Sequence, residues 1–150
     1  MTDNAADFTA LDGALALRNP ELLVNELEQL AASGPDRYTH RLAWALGSWG
    51  DHLWEQGRPD EYLRAYEQAA HVVRVRVDAG IATEQEASDL PQHVGNVASV
   101  AYRTGRVDIA RAAAEEAIER EWSLAAVPRP EHWDSEAFLA CMRAIQASAV

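Results

Sequence analysis

Glycine and proline occur at short intervals along this sequence, and the spacing of these helix-breaking residues constrains its fold more than any other feature. The breaks occur at Ser33-Gly34-Pro35, Gln56-Gly57-Arg58-Pro59, Ala79-Gly80, Thr104-Gly105-Arg106 and Pro128-Arg129-Pro130. Glycine can adopt the left-handed conformation that often ends a helix, and proline fits the first turn of the next one. The spacing therefore predicts a series of helices joined by tight turns.

Start signals and helical periodicity between these breaks predict an all-α chain. Asn19 offers a capping side chain, Pro20 a pre-set backbone angle and Glu21 a carboxylate for the helix dipole. Thr83 followed by Glu86 has the pattern of a capping box. The seven predicted helices span residues 5–17, 20–33, 36–56, 59–78, 84–104, 107–123 and 131–148.

Two segments fit the helical pattern less simply. Residues 71–78 alternate apolar and charged side chains as a strand does, but a lone strand has no pairing partner in a helical chain. Because Ala69, Val73 and Val77 continue a helical stripe through this region, we predict helix there. Pro91 lies inside the fifth helix and predicts either a kink or a short turn before its main part.

Length and composition favour one soluble domain spanning 1–150. Apolar residues make up 48% of the chain and charged residues 25%, the balance of an ordinary globular protein. The single Cys141 excludes an internal disulfide and a cysteine zinc cluster. The sequence has neither an apolar run long enough to span a membrane nor the pattern of a secretory signal, so we expect a cytoplasmic protein.

The chain is strongly acidic, with a formal net charge of −11. Phosphate neutralisation needs a basic patch, so this charge argues against binding of nucleic acid or an anionic membrane. It is compatible with a cationic partner. All 13 basic residues are arginine, and the absence of lysine excludes Schiff-base chemistry and a phosphate-loop lysine.

Residues 46–69 align with residues 94–117, which indicates an internal repeat at an offset of 48 residues. Each copy has an apolar helix, a Gly-Arg-x-Asp turn and a second helix that carries small residues. Gly50 in the first copy and Ala98 in the second place a small side chain midway along the first helix, where helix axes can approach closely. One such helix pair cannot bury both of its apolar faces, so we expect the pairs to stack.

This pattern resembles the tetratricopeptide repeat over residues 43–74 and 91–122, and the first copy is most similar to repeats of bacterial regulators. The chain departs from the family in its repeat length, which is 34 residues in the family. It also has Tyr62 where the family prefers alanine, and it lacks the closing proline. The resemblance implies a short α-solenoid of antiparallel helix pairs. Its predicted parts are a degenerate pair at 5–33, repeat one at 36–78, repeat two at 84–123 and a capping helix at 131–148.

In that family, the first helix of each repeat lines a concave groove that binds peptides or helices. The matching positions imply these partner-binding residues: Trp44, Gly47, Asp51, Trp54, Glu55, Asn96, Ser99, Tyr102 and Arg103. Aromatic side chains beside a carboxylate suit a partner that brings an apolar and a cationic side chain. The alternative is that Trp44 and Trp54 pack on the preceding helices as part of the core.

The resemblance therefore implies a noncatalytic protein–protein interaction module. The family's clamp for acidic C-terminal tails is excluded, because only Asn96 matches it and Gly47 and Asp51 stand where a cation and an asparagine are expected. A basic or apolar peptide or helix is the predicted partner, and the chain could also form a homodimer. Two alternatives stay open: a small-molecule-sensing regulator with an aromatic pocket, and an inhibitor or immunity-type partner of a basic protein.

No sequence motif indicates catalysis, and we predict neither an enzyme nor a cofactor. The chain lacks H-E-x-x-H, G-x-S-x-G, phosphate-loop and dinucleotide motifs, so a metal enzyme built on histidine and carboxylate ranks last among the alternatives. The histidines are predicted to lie on the surface: His40, His52, His71, His93 and His132. Cys141 is predicted to be a buried core thiol that joins the apolar stripe of the last helix, formed by Phe138, Met142 and Ile145.

Overall fold

The computed structural model describes residues 19–148 and shows them as an all-helical array without strands. Its helices are α1 (Pro20–Ser33), α2 (Pro35–Glu55), α3 (Pro59–Asp78), α4 (Glu84–Arg103), α5 (Val107–Ser123) and α6 (Ser135–Ser148). The predicted helix at 5–17 lies outside the described residues. Residues 71–78 are helical, and Pro91 lies inside one continuous helix. Within the described range, no helix has the length and apolar character needed to cross a membrane.

Each helix packs against the next one along the chain, and alternate helices form a second set of contacts. α2 contacts α4 and α4 contacts α6, whereas α3 and α5 do not pack directly against each other. The array therefore has an inner side made by α2, α4 and α6 and an outer side made by α3 and α5.

Three glycines end helices in the left-handed conformation, as the sequence predicts. Gly57, Gly80 and Gly105 have φ angles of 72°, 72° and 77°. In each case the residue after the glycine donates its backbone N–H to a carbonyl of the last helical turn, over 2.8–3.0 Å. Only glycine adopts this conformation without strain, so these positions fix where α2, α3 and α4 end.

Small residues let the helices approach closely. A β-carbon on Gly50 would lie 2.9 Å from the ring of Tyr66, and one on Gly95 would lie 2.6 Å from the ring of Phe138. Ala98 is fully buried in the corresponding position of the second copy. These positions receive an aromatic ring or another helix, which explains why the sequence has no larger side chain there.

The last helix begins four residues later than predicted, and Cys141 is exposed rather than buried. Asp134 caps it by accepting a hydrogen bond from Ala137 N over 2.9 Å. Met142 and Ile145 are buried, and Phe138 packs against the core as predicted. Successive helical residues point about 100° apart, so Cys141 lies at the edge of this stripe and remains accessible.

A cluster around Arg76 ties the α3–α4 connection, residues 79–83, to the array. Arg76 donates through Nε and Nη2 to the buried Glu86 over 2.7 and 3.1 Å, and through Nη2 to Asp36 and to the carbonyl of Ile81. Thr83 caps α4 by accepting from Glu86 N over 3.2 Å, as predicted. The Glu86 carboxylate pairs mainly with Arg76. We call these residues the Arg76 cluster.

A second cluster, around Glu121, ties down the α5–α6 connection, residues 124–134. The buried Glu121 carboxylate accepts two hydrogen bonds from Arg129 over 2.9 Å, one from Trp133 Nε1 over 2.9 Å and one from Ser135 Oγ over 2.7 Å. Arg129 also donates to the carbonyl of Ser88 in α4 over 2.8 Å. We call these residues the Glu121 cluster. The connection consequently lies against the start of α4.

On the outer side, ion pairs join α3 to α5 across an open groove of about 700 Å³. Arg74 donates two hydrogen bonds to Glu116 over 2.8 and 2.9 Å, and Arg120 donates two to Asp78 over 3.1 and 3.2 Å. Arg106 pairs with Asp60 at the other end. The outer side of the repeat pair is thus held by charged side chains.

Candidate functional site

Two adjoining cavities of about 130 and 220 Å³ lie between α2 and α4, with α3 beneath them. Both are lined by Asp51, Tyr66 and Asn96, so they form one groove. The first also includes Ala43, Trp44, Gly47, Ser48, Ala69 and His93, and the second includes Tyr62, Ser99, Val100 and Arg103. We call this surface the inner groove.

The structure brings six of the nine residues implied by the repeat positions to this groove. They are Trp44, Gly47, Asp51, Asn96, Ser99 and Arg103. Trp54 lies beside it through contacts with two of its lining residues, Tyr62 and Arg103. Glu55 and Tyr102 are exposed and lie outside the lining.

Trp44 and Trp54, two of the three tryptophans of α2, are partly exposed and contact elements that follow them in the chain. Trp44 is 38% exposed, and its ring centroid lies 4.7 Å from that of His93 in α4. Trp54 is 41% exposed and lies 5.1 Å from the ring of Tyr62, with the Arg103 guanidinium 5.8 Å from its own ring centroid. Both rings keep an accessible fraction that a core tryptophan would lack.

Two tyrosines on α3 organise the polar groups of the groove. Tyr66 donates its hydroxyl to Asp51 Oδ1 over 2.7 Å, and Arg103 donates to the hydroxyl of Tyr62 over 3.1 Å. Burial, followed by the hydrogen bond to Asp51, raises the pKa of Tyr66 well above its ordinary value. Burial also raises the pKa of Tyr62. Both phenols stay protonated at neutral pH and hold their partners in place.

Sequence reasoning missed these tyrosines and His93 as parts of the site. Tyr62 and Tyr66 lie one turn apart on α3, and the ring of Tyr66 rests on α2 at Gly47 and Gly50. The sequence contained one signal for this contact. Two glycines lie three residues apart and face a helix that carries two tyrosines one turn apart. This signal becomes specific only when the pairing of α2 with α3 is known.

The prediction that His93 lies on the surface is wrong. His93 is only 2% exposed, and its Nε2 has no hydrogen-bond partner. Burial lowers the pKa of His93 to about 4, so the ring is neutral at physiological pH. The residue lies one turn before Val97 on the buried side of α4, where the ring of Trp44 packs against it and covers it.

The side chains of the inner groove offer aromatic surfaces and hydrogen-bonding groups. Within residues 19–148, no group of three or more histidine, cysteine or acidic side chains is placed to hold a metal ion. Aromatic rings, a carboxylate and an arginine line the inner groove, which are groups that recognise side chains of a partner. Comparison of the chain with family models, curated proteins and solved structures gave no match.

Proposed function

We propose that this chain is a tetratricopeptide-like helical repeat whose inner groove binds a peptide or helix of another protein. One observation carries the proposal: six residues chosen from the resemblance alone line two adjoining cavities between α2 and α4. The contacts of α2 with α4 and of α4 with α6 support the stacking of helix pairs that such an array requires.

The groove's charges indicate how the bound segment is oriented. Arg103 occupies the end beside Trp54, and its guanidinium already faces that ring. Asp51 lies between the two cavities and has acceptor capacity beyond its bond to Tyr66. A basic side chain of the partner therefore binds at Asp51, and an apolar side chain packs against Trp44 and the floor at Gly47. The net charge of −11 favours approach of a basic partner.

The division of the groove into two small cavities suits the separate side chains of a peptide. The cavities measure about 130 and 220 Å³ and meet at Asp51, Tyr66 and Asn96. Each is suited to one or two side chains. Anchors of this kind carry most of the binding free energy in peptide interfaces.

Selection from a displayed library of random peptides against the full chain tests the proposal. We expect enrichment of peptides that combine an aromatic or aliphatic residue with arginine or lysine. The selected peptides are then titrated against Trp54→Ala, which should weaken binding at least tenfold, or about 1.4 kcal/mol. Asp51→Asn should cost less and flatten the dependence on salt.

Trp122→Ala is the matched control, because Trp122 is 57% exposed on α5 and lies outside the groove. Circular dichroism of each variant shows whether it remains folded. Selected peptides that bind Trp54→Ala and Asp51→Asn as tightly as they bind the unmodified chain would refute the groove as the binding site. A Trp54→Ala variant that unfolds would remove Trp54 from it.

A further inference from the structure

A larger cavity, of about 570 Å³, lies apart from the inner groove, between α2, α4 and the connection 124–134. Its aromatic and ionisable lining residues are His40, Trp44, Asp89, His132, Trp133 and Asp134. Trp44 is the one lining residue that it shares with the inner groove. Its volume falls within the range of about 300–1,000 Å³ typical of sites that enclose whole ligands.

The walls of this cavity are held in place by contacts outside it. Trp133 donates to Glu121 and lies 5.0 Å from the ring of Phe138, and Asp134 caps α6. Trp44 is packed against His93. A ligand would therefore meet a surface whose side chains are already ordered, which lowers the entropic cost of binding.

Asp89 supplies a fixed negative charge on the α4 wall. Its Oδ2 lies 3.0 Å from His40 Nδ1 and accepts a hydrogen bond from Gln85 over 2.9 Å. Burial alone would raise the pKa of Asp89, but the contacts with His40 and Gln85 lower it below its ordinary value. The carboxylate is consequently ionised at neutral pH.

The chemistry of the lining selects the class of ligand. Two indole rings and two carboxylates line this space. The Arg129 guanidinium lies 4.7 Å from the centroid of the Trp133 ring but is not part of the described lining. An anion would be repelled by Asp89 and Asp134, and a neutral apolar ligand would have to desolvate both charges. A metal ion lacks a group of three suitable ligands within the described residues. An organic cation contacts the rings with its alkyl chain or charge and pairs its charge with the carboxylates.

We propose that this cavity is a binding site for a guanidinium or alkylammonium group carried on an alkyl chain, such as the side chain of arginine. The site differs from the inner groove in position and in every lining residue except Trp44. It depends on the Glu121 cluster, because that cluster holds Trp133 in the wall.

The test is a titration of the full chain with N-acetyl-L-arginine amide, followed by NMR of the tryptophan indole N–H signals. N-acetyl-L-citrulline amide is the matched probe, because it has nearly the same shape and no charge. We expect the signals of Trp44 and Trp133 to shift, those of Trp49 and Trp122 to stay, and the citrulline probe to bind at least tenfold more weakly. Equal binding of the two probes would overturn the proposal, as would shifts confined to other tryptophans.

Variants of the wall make the test specific. Asp89→Asn should weaken binding of the arginine probe at least fivefold, whereas Asp108→Asn removes the same charge on the outer side and should change it less than twofold. Gln92→Glu adds a carboxylate to the lining and should tighten binding severalfold, which keeps the proposal testable if Asp89→Asn fails to fold. Equal effects of Asp89→Asn and Asp108→Asn, or no gain from Gln92→Glu, would refute the site.

Agmatine distinguishes two sources of the same ligand chemistry. Tighter binding of agmatine than of the arginine amide would support a free cationic metabolite, and the reverse order would support an arginine of a protein partner. Asp89→Asn and Gln92→Glu alter the lining of this cavity and leave Asp51 and Arg103 unchanged, so their effects on probe binding are separate from peptide binding in the inner groove.

Discussion

The connections 79–83 and 124–134 are each tied down by a buried arginine–glutamate pair, but the charges exchange places. In the Arg76 cluster a cation at the end of α3 gathers Glu86, Asp36 and a backbone carbonyl. In the Glu121 cluster a carboxylate at the end of α5 gathers Arg129, Trp133 and Ser135. Both centres are less than a tenth exposed.

The two clusters show that a connection can be held in place by a buried centre of either charge. A buried charge is costly unless it is paired and hydrogen-bonded, and either sign can satisfy that requirement. The two connections therefore differ in the sign of the central charge, and each has a paired, buried centre. We also expect that removing one partner of either arginine–glutamate pair lowers the free energy of unfolding far more than removing both.

Arg76→Met should have the largest effect on the free energy of unfolding. It leaves Glu86, which is 0% exposed, without its counter-charge, and removing one partner of a buried pair costs about 3–5 kcal/mol. Urea unfolding followed by circular dichroism measures the loss. Adding Glu86→Leu to Arg76→Met should restore more than half of it, because no unpaired charge then remains buried. A double variant as unstable as Arg76→Met would contradict this account.

His93 shows the effect of a buried polar group without a partner. Its pKa falls from 6.5 to about 4 on folding, so the unfolded chain takes up a proton at a higher pH than the folded chain does. Above pH 6.5 His93 is neutral in both states and its titration does not affect stability. As the pH falls from 6.5 toward 4, proton uptake by the unfolded chain lowers the free energy of unfolding by about 3 kcal/mol in total.

His93→Gln should accordingly flatten the loss of stability between pH 6.5 and pH 5. The measurement is the urea midpoint at several pH values, taken above pH 5 because Glu116, Glu121 and other carboxylates with lowered pKa values add their own losses below it. The exposed His71→Gln is the control and should leave the slope as it is. An unchanged slope in His93→Gln would show that His93 is not the group responsible.

Glu121→Gln should lower the free energy of unfolding by about 2 kcal/mol, which is less than the effect of Arg76→Met. The amide keeps an acceptor for Trp133 and Ser135 but loses the charge that pairs with Arg129. The indole N–H signal of Trp133 should also shift in NMR spectra. Glu119→Gln, an exposed change on the same helix, should alter neither quantity. A cost equal to that of the control would show that the α5–α6 connection is held by other contacts.

Substitutions at the turn glycines Gly57 and Gly105 should have similar effects on the free energy of unfolding, in contrast to substitutions in the two connections. A β-carbon at Gly57 or Gly105 meets no atom within 4 Å, so a substitution acts only through the positive φ angle. Gly57→Val and Gly105→Val should each cost about 1–2 kcal/mol. Asparagine tolerates this conformation better, so Gly57→Asn should cost less than Gly57→Val in the same unfolding assay. Equal stability of Gly57→Val and the unmodified chain would contradict the turn at this position.

The helices and their ends were predictable because they depend on local chemistry. Glycine at a left-handed position, a cap such as Asn19 and proline in a first turn each act within a few residues. The stripes of α2 and α6 follow from the helical period alone. The predicted bounds of the helices between residues 20 and 123 agree with the structure within one residue at each end.

The clusters and the details of the groove were not predictable, because they depend on which distant residues meet. Among 13 arginines and 24 acidic residues, nothing local marks Arg76 and Glu121 as the buried centres. The burial of His93 depends on the packing of Trp44 against it, and the exposure of Cys141 depends on which side of α6 faces the array. Six groove residues followed from the repeat positions, whereas the role of Tyr66 required the contact between α2 and α3.

The inner and outer sides of the array are joined by different kinds of contact, so salt should affect its curvature. Helices α2 and α4 contact each other through the rings of Trp44 and His93 and through one pair, His40–Asp89, whereas α3 and the region of α5 are joined by Arg74, Arg106 and Arg120 to carboxylates. Dissolved salt weakens exposed ion pairs and leaves apolar contacts intact or stronger. We therefore expect rising ionic strength to let the outer side spread while the inner side stays closed, so that the array bends more tightly around its groove.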